Sequence, residues 1–112
     1  MEYELEGKVV EGNGYGRKLG FPTVNLDIKE EHEKELPPEG VYAGTALLED
    51  KEYRAGIVVG PEEKIEAHLI GYKGDAYEKT VVLKLQRFLR PYQKFETEEA
   101  LKKQIEKDLS EC

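Results

Sequence analysis

The chain has 112 residues, of which 37% are charged and 38% are hydrophobic, and its formal net charge is -7. This length fits a single domain, 1–112, and the apolar residues fall in short runs, which argues against a disordered chain. The negative charge argues against broad binding to nucleic acid, because such binding draws its affinity from Lys and Arg placed against phosphates.

The cysteine content and the N-terminal residues indicate in which cellular compartment the protein is expected. Cys112 is the one cysteine of the chain, which excludes an intramolecular disulfide and a zinc cluster and favours a reducing interior. The first residues, MEYELEGK, are neither basic nor apolar, and no apolar stretch is long enough to cross a bilayer. We therefore expect a cytoplasmic protein that binds neither membrane nor nucleic acid. We also expect a monomer.

The first third of the chain predicts two strands and two loops. Residues Tyr3 to Val10 predict a strand that leads into a glycine-rich loop, 12–20. From Phe21 to Ile28 apolar and polar residues alternate, which predicts a half-buried strand. The charged stretch 29–40 ends in two prolines and a glycine and predicts an exposed loop.

The middle of the chain predicts four further strands. Val41 to Leu48 and Tyr53 to Val59 form a predicted hairpin whose turn is Glu49 to Glu52. After a second turn, Lys64 to Tyr72 predicts a strand, and Lys79 to Leu89 predicts a long final strand.

The C-terminal segment predicts an amphipathic helix. Thr97 is a suitable N-cap, and Leu101, Ile105 and Leu109 recur every four residues. Strands followed by one helix, without alternation of the two, favour a closed barrel, because closure removes unpaired edges. We therefore expect a mainly β fold, a six-stranded antiparallel Greek-key-like β-barrel, with the C-terminal α-helix over one opening.

The polar residues around the glycine-rich loop are candidates for phosphate binding. The loop glycines let backbone amides approach a phosphate, but neither GxGxxG nor GxxxxGK[ST] is present, and composition alone favours a flexible hairpin loop. Thr23 and Asn25 project from one strand face, where their oxygens suit Mg²⁺ together with a nucleotide's phosphates. Periodicity alone favours two polar residues on the wet side of a strand.

The stretch IEAHL holds a second candidate, Glu66. Ile65, Ala67 and Leu69 face one way, whereas Glu66 and His68 face the other. Glu66 suits a catalytic base, although a carboxylate on a strand is more often a solvated surface group.

Short motifs in order along nearly the whole chain resemble the riboflavin kinase (flavokinase) family, which also forms the C-terminal module of bacterial bifunctional FAD synthetases. The Gly-Phe-Pro-Thr-x-Asn core is the most specific of them. The matching stretches are Gly7-x-Val9-x-x-Gly12, Gly16-Arg17-x-Leu19-Gly20-Phe21-Pro22-Thr23-x-Asn25-Leu26, Gly40-Val41-Tyr42-Ala43, Glu66-x-His68-Leu69, Asp75-x-Tyr77, Leu89-Arg90-Pro91, Lys94-Phe95 and Ala100-Leu101-x-x-Gln104-Ile105-x-x-Asp108.

The resemblance implies a fold and an activity. The family's fold is a small antiparallel barrel with a C-terminal helix, in agreement with the architecture expected above. The implied enzyme is a Mg²⁺-dependent riboflavin kinase, which transfers the γ-phosphate of a nucleoside triphosphate, with ATP as the expected donor, to the 5′-hydroxyl of riboflavin and gives FMN. The expected partners are therefore two small molecules, riboflavin and the nucleotide.

The same resemblance implies roles for individual residues. Glu66 would be the catalytic base. The residues that would bind Mg²⁺ are Thr23 and Asn25. Those that would bind the nucleotide are Gly12, Arg17, Thr23, Asn25 and Tyr77. Those that would contact the flavin are Arg90, Gln93, Lys103 and Gln104.

Some features depart from the family's pattern. The segment after Gly60 runs almost directly into Glu66, so part of a flap over the site is expected to be missing. Glu78 stands where the family has a glycine, which changes the chemistry of that turn. No nucleotidyltransferase module is present in 1–112, so FMN adenylylation is not expected, and we expect a compact monofunctional kinase, although a fragment would look identical.

Two other functions stay open. A non-catalytic flavin- or nucleotide-binding barrel would keep the fold without turnover, and a regulatory module would present the acidic 29–39 loop to a partner. The presence of Thr23, Asn25 and Glu66 together favours the enzyme.

Overall fold

The computed structural model describes residues 3–10, 20–28, 36–74 and 76–112. Within these ranges the strands are β1 (Tyr3–Val10), β2 (Val24–Ile28), β3 (Gly40–Leu48), β4 (Lys51–Val59), β5 (Ile65–Leu69) and β6 (Thr80–Arg90), and the α-helix is α1 (Glu98–Ser110). The strands are antiparallel and close into a barrel in the order β1-β2-β5-β4-β3-β6. The run β6-β3-β4-β5 has the strand order of a Greek key. The predicted fold class is confirmed.

The barrel interior is filled by the apolar residues that alternate along the strands. Val24 and Leu26 of β2 are buried, as are Ile65, Ala67 and Leu69 of β5. Because successive side chains of a strand point to opposite faces, the residues between them lie on the outer surface of the barrel. The alternation predicted for both strands is confirmed, and it places the candidate polar residues outside the core.

The turn between β3 and β4 is shorter than predicted. Glu49 and Asp50 alone make the turn, with φ of 51° and 64°, and Lys51 already pairs with Leu48. Left-handed φ at both turn residues matches the twist of the flanking strands, which is why two-residue hairpins adopt it.

Two other strands are also shorter than predicted. β2 begins at Val24 rather than Phe21, and the proline between these two residues has no N–H to give to a ladder. β5 ends at Leu69, because the chain turns at Ile70 and Gly71, where Gly71 has a φ of 87°. Between β4 and β5 there is one turn of 3-10 helix, Pro61–Glu63, so the connection is as tight as the sequence predicted.

The C-terminal helix forms where it was predicted but lies in a different place. The Thr97 hydroxyl accepts a hydrogen bond from the amide of Ala100 at 3.1 Å and caps the helix. α1 packs against the outer face of β3 and β4, rather than over an opening of the barrel. A Cβ atom on Gly56 of β4 would lie 3.0 Å from a methyl group of Leu109, so the glycine allows this close approach.

Candidate active site

A cleft of about 460 Å³ lies between the outer face of the barrel and the C-terminal segment. Its strand wall consists of Phe21, Thr23, Val41, Gly56, Val58, Glu66 and His68. Its helix wall consists of Arg90, Tyr92, Gln93, Lys94, Phe95, Leu101, Ile105, Asp108 and Leu109. The volume falls in the range of about 300 to 1,000 Å³ that is usual for small-molecule sites.

Glu66 is the carboxylate of the strand wall. It lies directly opposite Asn25 in the β2–β5 ladder, so both side chains project from the same face. Glu66 also makes a side-chain hydrogen bond with Thr23. The structure thus brings together the three residues that the sequence singled out as a metal pair and a base.

The environment of Glu66 favours its neutral form. Burial raises the pKa of its carboxyl above the usual range, whereas the positive charge of Lys64 and the hydrogen bond from Thr23 act in the opposite direction. Glu66 is half-buried, so it is not the solvated surface carboxylate that its position on a strand alone favours. A carboxyl group with a raised pKa at the wall of a cleft is suited to proton transfer.

His68 lies two residues further along the same face of β5. Its Nδ1 is 2.7 Å from the backbone carbonyl oxygen of Pro22, a residue 46 positions away in sequence. Its ring also meets the ring of Phe21 edge to face, at 6.1 Å between centroids. These contacts hold the segment that enters β2 against β5.

The helix wall contains a buried ion pair. Two guanidinium nitrogens of Arg90, Nε and Nη2, donate to the carboxylate of Asp108 at distances of 2.9 to 3.2 Å. The Gln104 amide donates to the same carboxylate at 2.9 Å. The Arg90 side chain is 18% exposed and that of Asp108 is 8% exposed. Arg90 and Gln104 therefore both bind Asp108, and the bonds from Arg90 tie the end of β6 to α1.

The remaining predicted site residues lie in several places. Gln93 lines the cleft and is exposed. Lys103 does not line the cleft; its side chain is exposed and pairs with Glu99 at 3.5 Å. Tyr77 is 45% exposed and lies outside the cleft wall. The predictions for Gly12 and Arg17 fall outside the described residues.

Sequence reasoning assigned no role to Asp108 and did not foresee that Arg90 binds it. Asp108 follows Ile105 by three positions, which puts its carboxylate beside the apolar stripe of the helix. A carboxylate on a face that must be buried requires a partner, and this was the available signal. The identity of the partner, 18 residues away, could not be found from periodicity.

The fold is a small antiparallel barrel with a cleft of about 460 Å³ on its outer face. Among the residues that the structure describes, no helix is long and apolar enough to span a membrane. A family profile described as "Flavokinase: Riboflavin kinase" matches residues 1–112. The chain therefore belongs to the riboflavin kinase (flavokinase) family.

Individual relatives and solved structures are similar over most of the chain. The bifunctional riboflavin kinase/FMN adenylyltransferase of Mycoplasma pneumoniae is 35% identical over 114 residues, covering 98% of this chain and 41% of the relative. The chain thus spans about two fifths of that protein's length.

A structure described as a macrolide-efflux protein from Streptococcus pneumoniae has a TM-score of 0.86 at 28% identity, covering 96% of this chain and 37% of that one. The structure of riboflavin kinase from Trypanosoma brucei has a TM-score of 0.68 at 22% identity, covering 97% of this chain and 76% of that one. The second likeness supports the fold.

Proposed function

We propose that this chain is a single-domain riboflavin kinase, which transfers the γ-phosphate of a nucleoside triphosphate to the 5′-hydroxyl of riboflavin and produces FMN. ATP is the proposed donor. Membership of the family supports the reaction type. The observation that carries the proposal is Glu66, a half-buried carboxyl with a raised pKa, hydrogen-bonded to Thr23 in the wall of a cleft large enough for a flavin.

The two sides of the cleft suit different parts of riboflavin. Val58 on the strand wall and Leu101, Ile105 and Leu109 on the helix wall provide apolar surface for the isoalloxazine ring. Gln93 offers an amide that can bind a polar edge of the ring. The ribityl chain would extend along the strand wall toward Glu66.

Glu66 would act as the general base. It accepts the proton of the 5′-hydroxyl while the hydroxyl oxygen bonds to the γ-phosphorus and the bond from that phosphorus to the diphosphate breaks. The products are FMN, the nucleoside diphosphate and the proton held on Glu66, which then passes to solvent. The hydrogen bond from Thr23 would orient the carboxylate for this step.

Thr23 and Asn25 fit a divalent cation shared with the nucleotide. Both offer uncharged oxygens on the face that carries Glu66, and Mg²⁺ commonly takes few protein ligands and completes its shell with phosphate oxygens and water. When bound, Mg²⁺ would neutralise charge on the transferring phosphoryl group. The cytoplasmic location and the monomeric state stay predictions from the sequence.

The test is direct. The purified chain is incubated with riboflavin, MgCl₂ and ATP, and the flavins are separated by chromatography. We expect FMN to accumulate in proportion to enzyme concentration and to be absent without nucleotide. Flavin that binds without being phosphorylated would contradict the proposal and favour a non-catalytic binding barrel. Parallel assays with CTP, GTP and UTP identify the donor.

A further inference from the structure

One hydrogen bond, between His68 and the Pro22 carbonyl, links β5 to the segment before β2, beyond the end of the β2–β5 ladder. The β2–β5 ladder begins at Val24, which pairs with Ala67. Thr23 precedes this point, so its backbone lies outside the paired region. Pro22 before it lacks an N–H and cannot extend the ladder as a donor. The bond between the Pro22 carbonyl and His68 therefore holds the backbone next to Thr23.

The chemistry of this bond fixes the state of the imidazole. A carbonyl oxygen only accepts, so the ring nitrogen facing it at 2.7 Å must carry a hydrogen. In the neutral ring this places the proton on Nδ1 and leaves Nε2 as the acceptor. The edge-to-face contact with Phe21 restricts rotation of the same ring.

We infer that His68 is a positioning residue: by holding the Pro22 carbonyl it sets the Thr23 hydroxyl against Glu66, and it is not a second base. Thr23 is bonded on one side to Glu66 and is adjacent on the other to the carbonyl that His68 holds. A loosened Pro22 would therefore displace a hydroxyl that orients the base and faces the nucleotide phosphates. This role rests on the proposed kinase function.

Three substitutions at His68 separate positioning from chemistry. Asn places its amide N–H near the position of Nδ1, Gln places its amide nearer to Nε2, and Phe keeps the ring without a donor. We expect His68→Phe and His68→Gln to lower kcat/KM for the nucleotide by about 10- to 100-fold, because small misplacements of a reacting group have effects of this order. The loss should lie chiefly in KM for the nucleotide–metal complex. For His68→Asn, kcat/KM for the nucleotide should stay within about threefold of that of the unsubstituted chain.

A matched control lies outside the cleft. Tyr72 is half-buried and meets Tyr53 edge to face at 5.4 Å. Tyr72→Phe removes one polar atom from an aromatic pair that does not line the site, so its kinetics should change by less than about twofold.

Two readouts do not depend on turnover. Calorimetry with ADP and Mg²⁺, in the absence of riboflavin, should give weaker binding for His68→Phe and near-normal binding for His68→Asn. Nitrogen-15 NMR of the two histidines in the chain, recorded in alkaline buffer, should show one ring protonated at Nδ1, and that signal should vanish in His68→Asn.

Each outcome separates this inference from the proposed function. An unsubstituted chain that forms no FMN overturns the proposed function. An active chain whose Phe and Gln variants have normal kinetics overturns the role of His68 alone. If His68→Asn is as impaired as His68→Phe and loses one limb of its pH profile, the imidazole takes part in proton transfer and is not a positioning group. A ring protonated at Nε2 would also contradict the inference.

Discussion

The two walls of the cleft present their polar groups in different ways. On the strand wall, burial raises the pKa of Glu66, and Asn25, which does not itself line the cleft, lies beside Glu66 by strand register. On the helix wall, Asp108 accepts hydrogen bonds from Arg90 and from Gln104, which lies behind the wall, and the third guanidinium nitrogen of Arg90 donates to the Pro91 carbonyl at 3.3 Å. Polar groups that satisfy one another's hydrogen bonds hold a site in shape, whereas a carboxyl whose ionised form is disfavoured by burial is suited to proton transfer.

The largest effect is expected at the base of the strand wall. Glu66→Gln keeps the size of the side chain but cannot accept a proton, so kcat should fall by about 10²- to 10⁴-fold, the usual contribution of general-base catalysis. KM for riboflavin should change little. Steady-state kinetics of FMN formation measure both constants. The matched control is Glu62→Gln, because Glu62 is an exposed carboxylate in the β4–β5 turn. This variant should retain activity. Near-normal turnover of Glu66→Gln would remove Glu66 from its role.

On the helix wall, the expected effect is on stability. Asp108→Asn removes the charge that faces Arg90 in a largely buried pair, and breaking such a pair costs about 3 to 5 kcal/mol of unfolding free energy. Urea unfolding followed by circular dichroism measures the change. Glu106→Gln, on the exposed side of the same helix, should change stability by less than about 0.5 kcal/mol. Equal effects of the two substitutions would show that the ion pair does not anchor the helix.

A third change tests the electrostatics of the strand wall. Lys64 lowers the pKa of Glu66 against the larger effect of burial, so Lys64→Gln should raise that pKa further. Because the base must be ionised, the acid limb of kcat/KM should move to higher pH, and Lys64→Arg should leave it in place. The shift should shrink as salt is added, because Lys64 is exposed. A limb that moves to lower pH would contradict the assignment of Glu66.

The raised pKa also has a consequence for folding. The folded chain binds a proton at Glu66 more readily than the unfolded chain does, so the stability gained from the neutral carboxyl is present at low pH. It is lost as the pH rises through the raised value. Glu66→Gln should weaken this dependence, as measured by unfolding midpoints across pH.

The smallest effect is expected at Lys103, outside both walls. Its exposed ion pair with Glu99 contributes little, and the side chain does not line the cleft. Lys103→Gln should therefore change KM for riboflavin by less than about twofold. A tenfold rise in KM would show that the helix wall extends further along α1 than the cleft does here.

The sequence predicts the strand wall better than the helix wall for a physical reason. Alternation along IEAHL places Glu66 outside the core, and the same rule places Thr23 and Asn25 on the outer face of the strand predicted over 21–28. Alternation depends only on neighbouring residues of one strand, so it can be recognised in the sequence. The resemblance to the family then supplied roles that alternation could not.

Long-range contacts account for what was not predicted. The helix was expected over one opening, because its apolar stripe shows that it packs but not on which surface. The bonds from Arg90 to Asp108 and from His68 to Pro22 join residues 18 and 46 positions apart, and nothing in local pattern pairs them. Arg90 and Gln104 were expected to contact the flavin; in the fold both bind Asp108, and Arg90 lines the cleft whereas Gln104 does not.

A crystal structure with riboflavin, Mg²⁺ and a non-hydrolysable nucleotide would show whether Glu66 reaches the reacting hydroxyl. We expect the isoalloxazine ring between the strand wall and the helix wall, with the 5′-hydroxyl oxygen about 2.6 to 3.2 Å from a carboxylate oxygen of Glu66. A flavin bound elsewhere, or a 5′-hydroxyl beyond the reach of Glu66 even through one water, would contradict it.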